Sequence, residues 1–171
     1  MKKLLALTIL LTLGMGSSVW AEHCPEVVSS ETAYVCTQEV FNDSGSTLTS
    51  GTVVVWDQAD TDFNTSGRPY VIATTTADDP WTAGVMLTGS CPDQQLCEMV
   101  TRGITRVRIA NSTDDTAVDT QVGATTVSGQ AGDYATGANT CMLGTLVDYV
   151  NGIDLANDNL EARVFIDISC D

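Results

Sequence analysis

Past residue 21 the chain contains no lysine, and its single histidine, His23, stands two residues further on. Catalysis by nucleophile and base near neutral pH draws on an imidazole, an amine or a thiolate. With the first two almost missing, the many serines and threonines have no base partner and read as turn and strand-surface residues. No Cys-x-x-Cys pair occurs, and a single histidine at position 23 gives no zinc site of ordinary spacing. No apolar run approaches the ~18 residues that a membrane-spanning helix needs. No segment carries a convincing apolar 3.6-residue period either, which argues against a helical architecture.

What the chain has in excess is acid: 22 Asp and Glu against seven Lys and Arg, for a formal net charge of -15. Lys2 and Lys3 precede an apolar stretch, Leu4–Met15, and the small-residue site Val19-Trp20-Ala21. That is the pattern of a secretory leader. Residues 1–21 therefore read as a signal peptide, 22–42 as an N-terminal extension and 43–171 as one β-barrel domain. The exported part keeps five arginines (Arg68, Arg102, Arg106, Arg108 and Arg163) against all 22 carboxylates. Such a surface repels nucleic acid and anionic lipid and keeps copies apart at long range. The expected setting is secreted or periplasmic, outside a bacterial cell, with no membrane span.

Six cysteines, Cys24, Cys36, Cys91, Cys97, Cys141 and Cys170, all lie beyond the leader. An even count in an oxidising compartment reads as three disulfides, for which fifteen pairings exist. Spacing favours Cys91–Cys97 across a proline-containing loop and Cys141–Cys170 flanking a terminal hairpin, leaving Cys24 for Cys36.

The apolar pattern is β throughout. Gly51–Trp56 (GTVVVW) is too short and too β-branched for a helix, and it is apolar on both faces, as in a central strand. Tyr70–Thr76, Ala83–Thr88, Leu96–Thr101, Gly103–Ala110, Cys141–Val150 and Leu160–Ser169 read as further strands, with Thr37–Phe41 before them. Turn chemistry separates them at Asn42–Ser46, Asp78-Asp79-Pro80, Asn111–Thr116 and Asn151-Gly152. Short strands at roughly ten-residue spacing predict an all-β fold, a single compact barrel or sandwich of about eight strands, stapled by disulfides.

The order of these stretches resembles the small β-barrel decoration, or capsid cement, proteins of tailed phages. The resemblance rests on Gly51–Asp57 (GTVVVWD), Val71–Leu87 (VIATTTADDPWTAGVML), Gly103–Ile109 (GITRVRI), Asp119–Tyr134 (DTQVGATTVSGQAGDY), Leu143–Tyr149 (LGTLVDY) and Ala162–Ile168 (ARVFIDI). It covers about residues 43–169 at the level of pattern. It implies a compact barrel that coats or cements a larger assembly without catalysis, here in a secreted, cysteine-rich form.

Four groups of residues invite a functional reading. Arg102, Arg106 and Arg108 alternate along one strand and so share a face with Ile104. They read either as an assembly contact for acidic surfaces of another copy or another secreted protein, or as partners of Asp114, Asp115 or Asp119 nearby. Asp57, Asp60, Asp62 and Asn64 alternate oxygen ligands as calcium loops do. Thr65 and Val71 stand where such a loop needs glycine and glutamate, so weak calcium binding is the most this segment offers, and no other cofactor is implied. Trp56 and Trp81 suggest a sugar-stacking platform, with core packing the commoner fate. Glu98 and Glu161 are the glutamates available for carboxylate-dependent hydrolysis. The leading reading is a non-enzymatic subunit or coat of an extracellular assembly. A carbohydrate- or surface-binding module stands second, and a small carboxylate hydrolase third.

Overall fold

The structure is a computed structural model that describes residues 24, 35–59, 69–110, 119–137, 139–149 and 160–170. These residues are all-β. The strands are β1 (Val35–Asn42), β2 (Leu48–Thr49), β3 (Val53–Trp56), β4 (Tyr70–Ala73), β5 (Thr82–Met86) and β6 (Ser90–Cys91). They are followed by β7 (Leu96–Ile109), β8 (Gln121–Ala124), β9 (Ala131–Asp133), β10 (Cys141–Tyr149) and β11 (Leu160–Cys170). No helix among the described residues is long and apolar enough to cross a membrane.

Nine strands form one sheet in the order β1-β4-β3-β5-β7-β11-β10-β8-β9, while β2 and β6 pair separately. Two further pairings, β1–β7 and β7–β9, close that sheet on itself twice. One circuit runs β1-β4-β3-β5-β7 and the other β7-β11-β10-β8-β9. Each circuit has its own core. Val40, Leu48, Val54, Val71, Met86 and Met99 fill the first. Val53, Val85, Val100, Val107, Leu143, Leu146, Val164 and Ile166 are among those filling the second.

This division explains strands that are apolar on both faces. Successive side chains of a strand point to opposite sides. Val53 and Val54 therefore enter different cores, as do Val85 and Met86, and Met99 and Val100. Fully burying a valine or methionine side chain contributes about 1.5–3 kcal/mol, so GTVVVW stabilises two compartments at once.

The 14-residue β7 belongs to both circuits. Its first half runs antiparallel to β1 and touches β5; its second half runs antiparallel to β11. Val100 and Val107 stand seven positions apart and would face opposite ways on an unbroken strand, yet both line the second core. A bulge is the reason. Cys36 pairs with Arg102 and Thr37 with Val100, so Thr101 is an inserted residue, and Gly103 follows at a φ of 105°. The segment read as two strands, Leu96–Thr101 and Gly103–Ala110, is thus one strand with a bulge between the halves.

Residues 35–42, at the end of the stretch read as an N-terminal extension, form β1 and complete the first circuit. The fully buried Asn42 ends this strand. Its Nδ2 donates to the Ser46 and Cys91 carbonyls, at 2.7 Å and 2.8 Å, and its Oδ1 accepts from the Ser44 N–H. That turn is laced to the Cys91–Cys97 loop by the Gly45 N–H bond to Asp93 and by Gln94 to Asp43. The three disulfides are Cys24–Cys36, Cys91–Cys97 and Cys141–Cys170, the pairing that spacing favoured.

Candidate functional site

The antiparallel register of β7 and β11 sets Arg102 opposite Asp167, Ile104 opposite Phe165, Arg106 opposite Arg163 and Arg108 opposite Glu161. The intervening residues Val107, Ile109, Ala162, Val164 and Ile166 are buried in the second core. The charged set must therefore point outward. Thr145 of β10 lies opposite Phe165 and Asp148 opposite Arg163, extending the same face by one strand.

Ion pairs run across this face. Arg102 Nε lies 3.8 Å from Asp167 Oδ1, and Arg106 Nη1 lies 3.7 Å from Glu161 Oε2. Arg163 grips Asp148 with both Nε and Nη2, the first at 2.6 Å. The Arg163 guanidinium holds the Asp148 carboxyl below its ordinary value, chiefly through that hydrogen bond, and its own pKa rises in return. All three pairs are open to solvent, so each contributes little to stability. Among the described residues their partners come from β10 and β11. Asp114 and Asp115 lie outside the described residues.

Amid these charges sit two apolar side chains, the half-buried Ile104 and Phe165, which is 39 % exposed. Every described arginine is on this face: Arg102, Arg106, Arg108 and Arg163. On a chain so rich in acid, it is the region where cationic groups concentrate. Sequence reading found the β7 stripe but missed Arg163 and Phe165, which join it through the β11 register. The available signal was an aromatic in the polar column of ARVFIDI.

Other expected sites are not assembled. Asp57 Oδ1 accepts the Ala59 N–H at 2.9 Å, closing a local turn, whereas Asp60, Asp62 and Asn64 lie outside the described residues. Among the described residues no group of three or more His, Cys, Asp or Glu is placed to hold a metal ion. Glu161 pairs in register with Arg108, ten positions along β7 from Glu98, or about 33 Å at the usual strand rise. Paired glycosidase carboxylates stand only about 5–9.5 Å apart. Trp56 packs against the first core, while Trp81 is 50 % exposed. The two are joined through backbone, Trp56 N–H to Trp81 C=O, and Trp81 is the side chain left to offer a ring to solvent.

The segment Asp78-Asp79-Pro80 predicts only a turn, yet Asp78 is a buried carboxylate at a φ of 47°. Its N–H donates to Ala124, its C=O accepts from Cys141 and its Oδ2 accepts from the Ala135 N–H. Its Oδ1 has no hydrogen-bond partner among the described residues. Burial raises its pKa, and the Ala135 bond works against that rise. A Cβ on Gly123 would stand 2.2 Å from Oδ1, so glycine is what lets this carboxylate in.

No family model and no curated protein matches the chain. Among solved structures it is similar to the head fiber gp8.5 N base of bacteriophage phi29, with 14% sequence identity and a TM-score of 0.47, over 78% of this chain and 94% of that one. At that identity and TM-score the likeness carries no argument about what this chain does.

Proposed function

We propose that the protein is a non-enzymatic structural component, a secreted and disulfide-stapled subunit or coat of an extracellular assembly, docking through the β7–β11 face. The observation that supports this is the convergence of Arg102, Arg106, Arg108 and Arg163 around Ile104 and Phe165 on an otherwise acidic chain. Arginine and aromatic side chains are the types enriched where proteins bind one another. The twice-closed sheet points the same way, since every strand in it has two neighbours. A partner then meets side chains more readily than an open backbone edge.

Light scattering and negative-stain microscopy of material purified from the producing cell test the reading. Particles many times the 18.1 kDa chain mass are expected. A lone monomer in native material would contradict it. The exposed Trp81 ring favours a second reading, a sugar-binding module. That reading requires glycan-array binding that disappears in Trp81→Ala.

A further inference from the structure

The register of the arginine face fits one partner in particular, a second copy of the same face. Resting on the assembly role above, we infer that two copies associate face to face about a two-fold axis running along the strands, midway between β7 and β11. Rotation about that axis exchanges the two strands while keeping each level along them. Every β7 residue then meets the second copy's equivalent of its own cross-strand neighbour. Those neighbours are complementary at three of four levels: Arg102 with Asp167, Ile104 with Phe165, and Arg108 with Glu161.

At the remaining level Arg106 meets Arg163, but each already has a carboxylate beside it, Glu161 and Asp148 respectively. Like charge there is therefore locally compensated. The two Ile104–Phe165 pairs would cover one another, removing from water the aromatic side chain that β11 leaves exposed. Two aligned sheets pack in this manner, face to face and about 10 Å apart. A two-fold contact of this kind uses one patch twice, so complementarity within the patch suffices.

The patch also sets the strength. Eight positions on β7 and β11, with Thr145 and Asp148 of β10 beside them, span about 25 Å by 15 Å, short of the ~800 Å² per partner of a standard interface. The pair is accordingly weak alone and is reinforced by other contacts within an assembly. The net negative charge of each copy opposes approach when salt is low, whereas at 0.15 M ionic strength charges are screened beyond ~8 Å.

Complementary charge reversal tests the inference by sedimentation equilibrium of the chain from Glu22 at 0.15 M salt. Variant one carries Arg102→Asp; variant two carries Asp167→Arg, which leaves Glu161 and Asp148 beside Arg106 and Arg163. The native chain is expected to dimerise within the protein concentrations reached, each variant alone to stay monomeric, and an equal mixture to recover dimer. Phe165→Ser, which keeps every charge, is expected to weaken native association at least tenfold. Far-ultraviolet circular dichroism and absence of free thiol establish that each variant is folded. A native chain that stays monomeric at about 1 mM overturns the inference, as do variants that dimerise alone or a mixture that does not. A monomeric native chain that is nonetheless found in large particles from its producing cell would overturn the two-fold pair and leave the assembly role standing.

Discussion

Gly144→Ala strikes the fold and the proposed contact together. Gly144 lies on β10 opposite Ile166, beside the bulge that follows Met142. A Cβ there would stand 2.1 Å from the Phe165 carbonyl oxygen, 2.9 Å from its carbon and 3.1 Å from Ile166 Cα. All three are backbone atoms, so no side-chain rotation relieves the overlap. Reaching ordinary contact requires β10 and β11 to part locally by about 1 Å, and forced overpacking of this kind costs about 1–3 kcal/mol. One or two strand hydrogen bonds at about 1 kcal/mol each are lost as well, for a total of about 2–5 kcal/mol. Gly89→Ala is the control, because nothing stands within 4 Å of its added methyl. It is expected to be neutral or stabilising by up to about 1 kcal/mol. Urea unfolding of the oxidised protein reads both. Because the displaced carbonyl belongs to Phe165, Gly144→Ala should also weaken self-association at temperatures where it remains folded. A loss below 1 kcal/mol, no larger than that of the control, would refute the close β10–β11 approach.

Three further outcomes follow from the same structure. With its pKa raised, Asp78 binds a proton more readily in the folded than in the unfolded chain, so its contribution makes stability fall as pH rises between those two values. Asp78→Asn should remove that slope and unfold at higher temperature than Asp78→Ala, which loses the Ala135 bond and strains the backbone at positive φ; equal loss in both, read by thermal unfolding against pH, would contradict this. Removing Cys141–Cys170, which spans 29 residues, should cost about 3.6 kcal/mol against about 2.2 kcal/mol for Cys91–Cys97, which spans 6, by loop-closure entropy; paired Cys→Ser variants in denaturant decide it, and the reverse order would assign the larger role to core packing. Calorimetry with calcium should find at most millimolar-range affinity, as in weak extracellular modules, abolished by Asp60→Ala with Asp62→Ala; tight binding surviving both changes would place the cation elsewhere.

The all-β class and the disulfide pairing were legible because each rests on local pattern: period-two alternation, turn residues and short cysteine spacing. The double apolar face of GTVVVW marked a central strand. That its two faces serve two cores was not legible, since alternation shows that both sides are covered and not by what. β7 read as two strands because the Thr101 bulge changes the parity of the apolar pattern, and an inserted residue looks like a break in sequence. The β7 arginines were visible as a stripe, but the described carboxylates that pair with Arg102 and Arg106 come from β11, 65 and 55 residues later, where only register assigns a partner. Asp78 was hidden for a different reason. Asp78-Asp79-Pro80 is ordinary turn chemistry, and the burial of one of its two carboxylates depends on the small Gly123 across the fold.

The central claim is that the β7–β11 face holds this chain in an assembly. The most direct measurement replaces the chain in its producing cell with one carrying Arg106→Glu and Arg163→Glu, then weighs the chain recovered in large particles against that left free. Both sites are exposed, so the variant should fold with its three disulfides intact, as intact mass before and after reduction will show. The expected result is a folded chain found almost wholly outside the particles. Recovery of the folded variant in particles at the native level would contradict the claim.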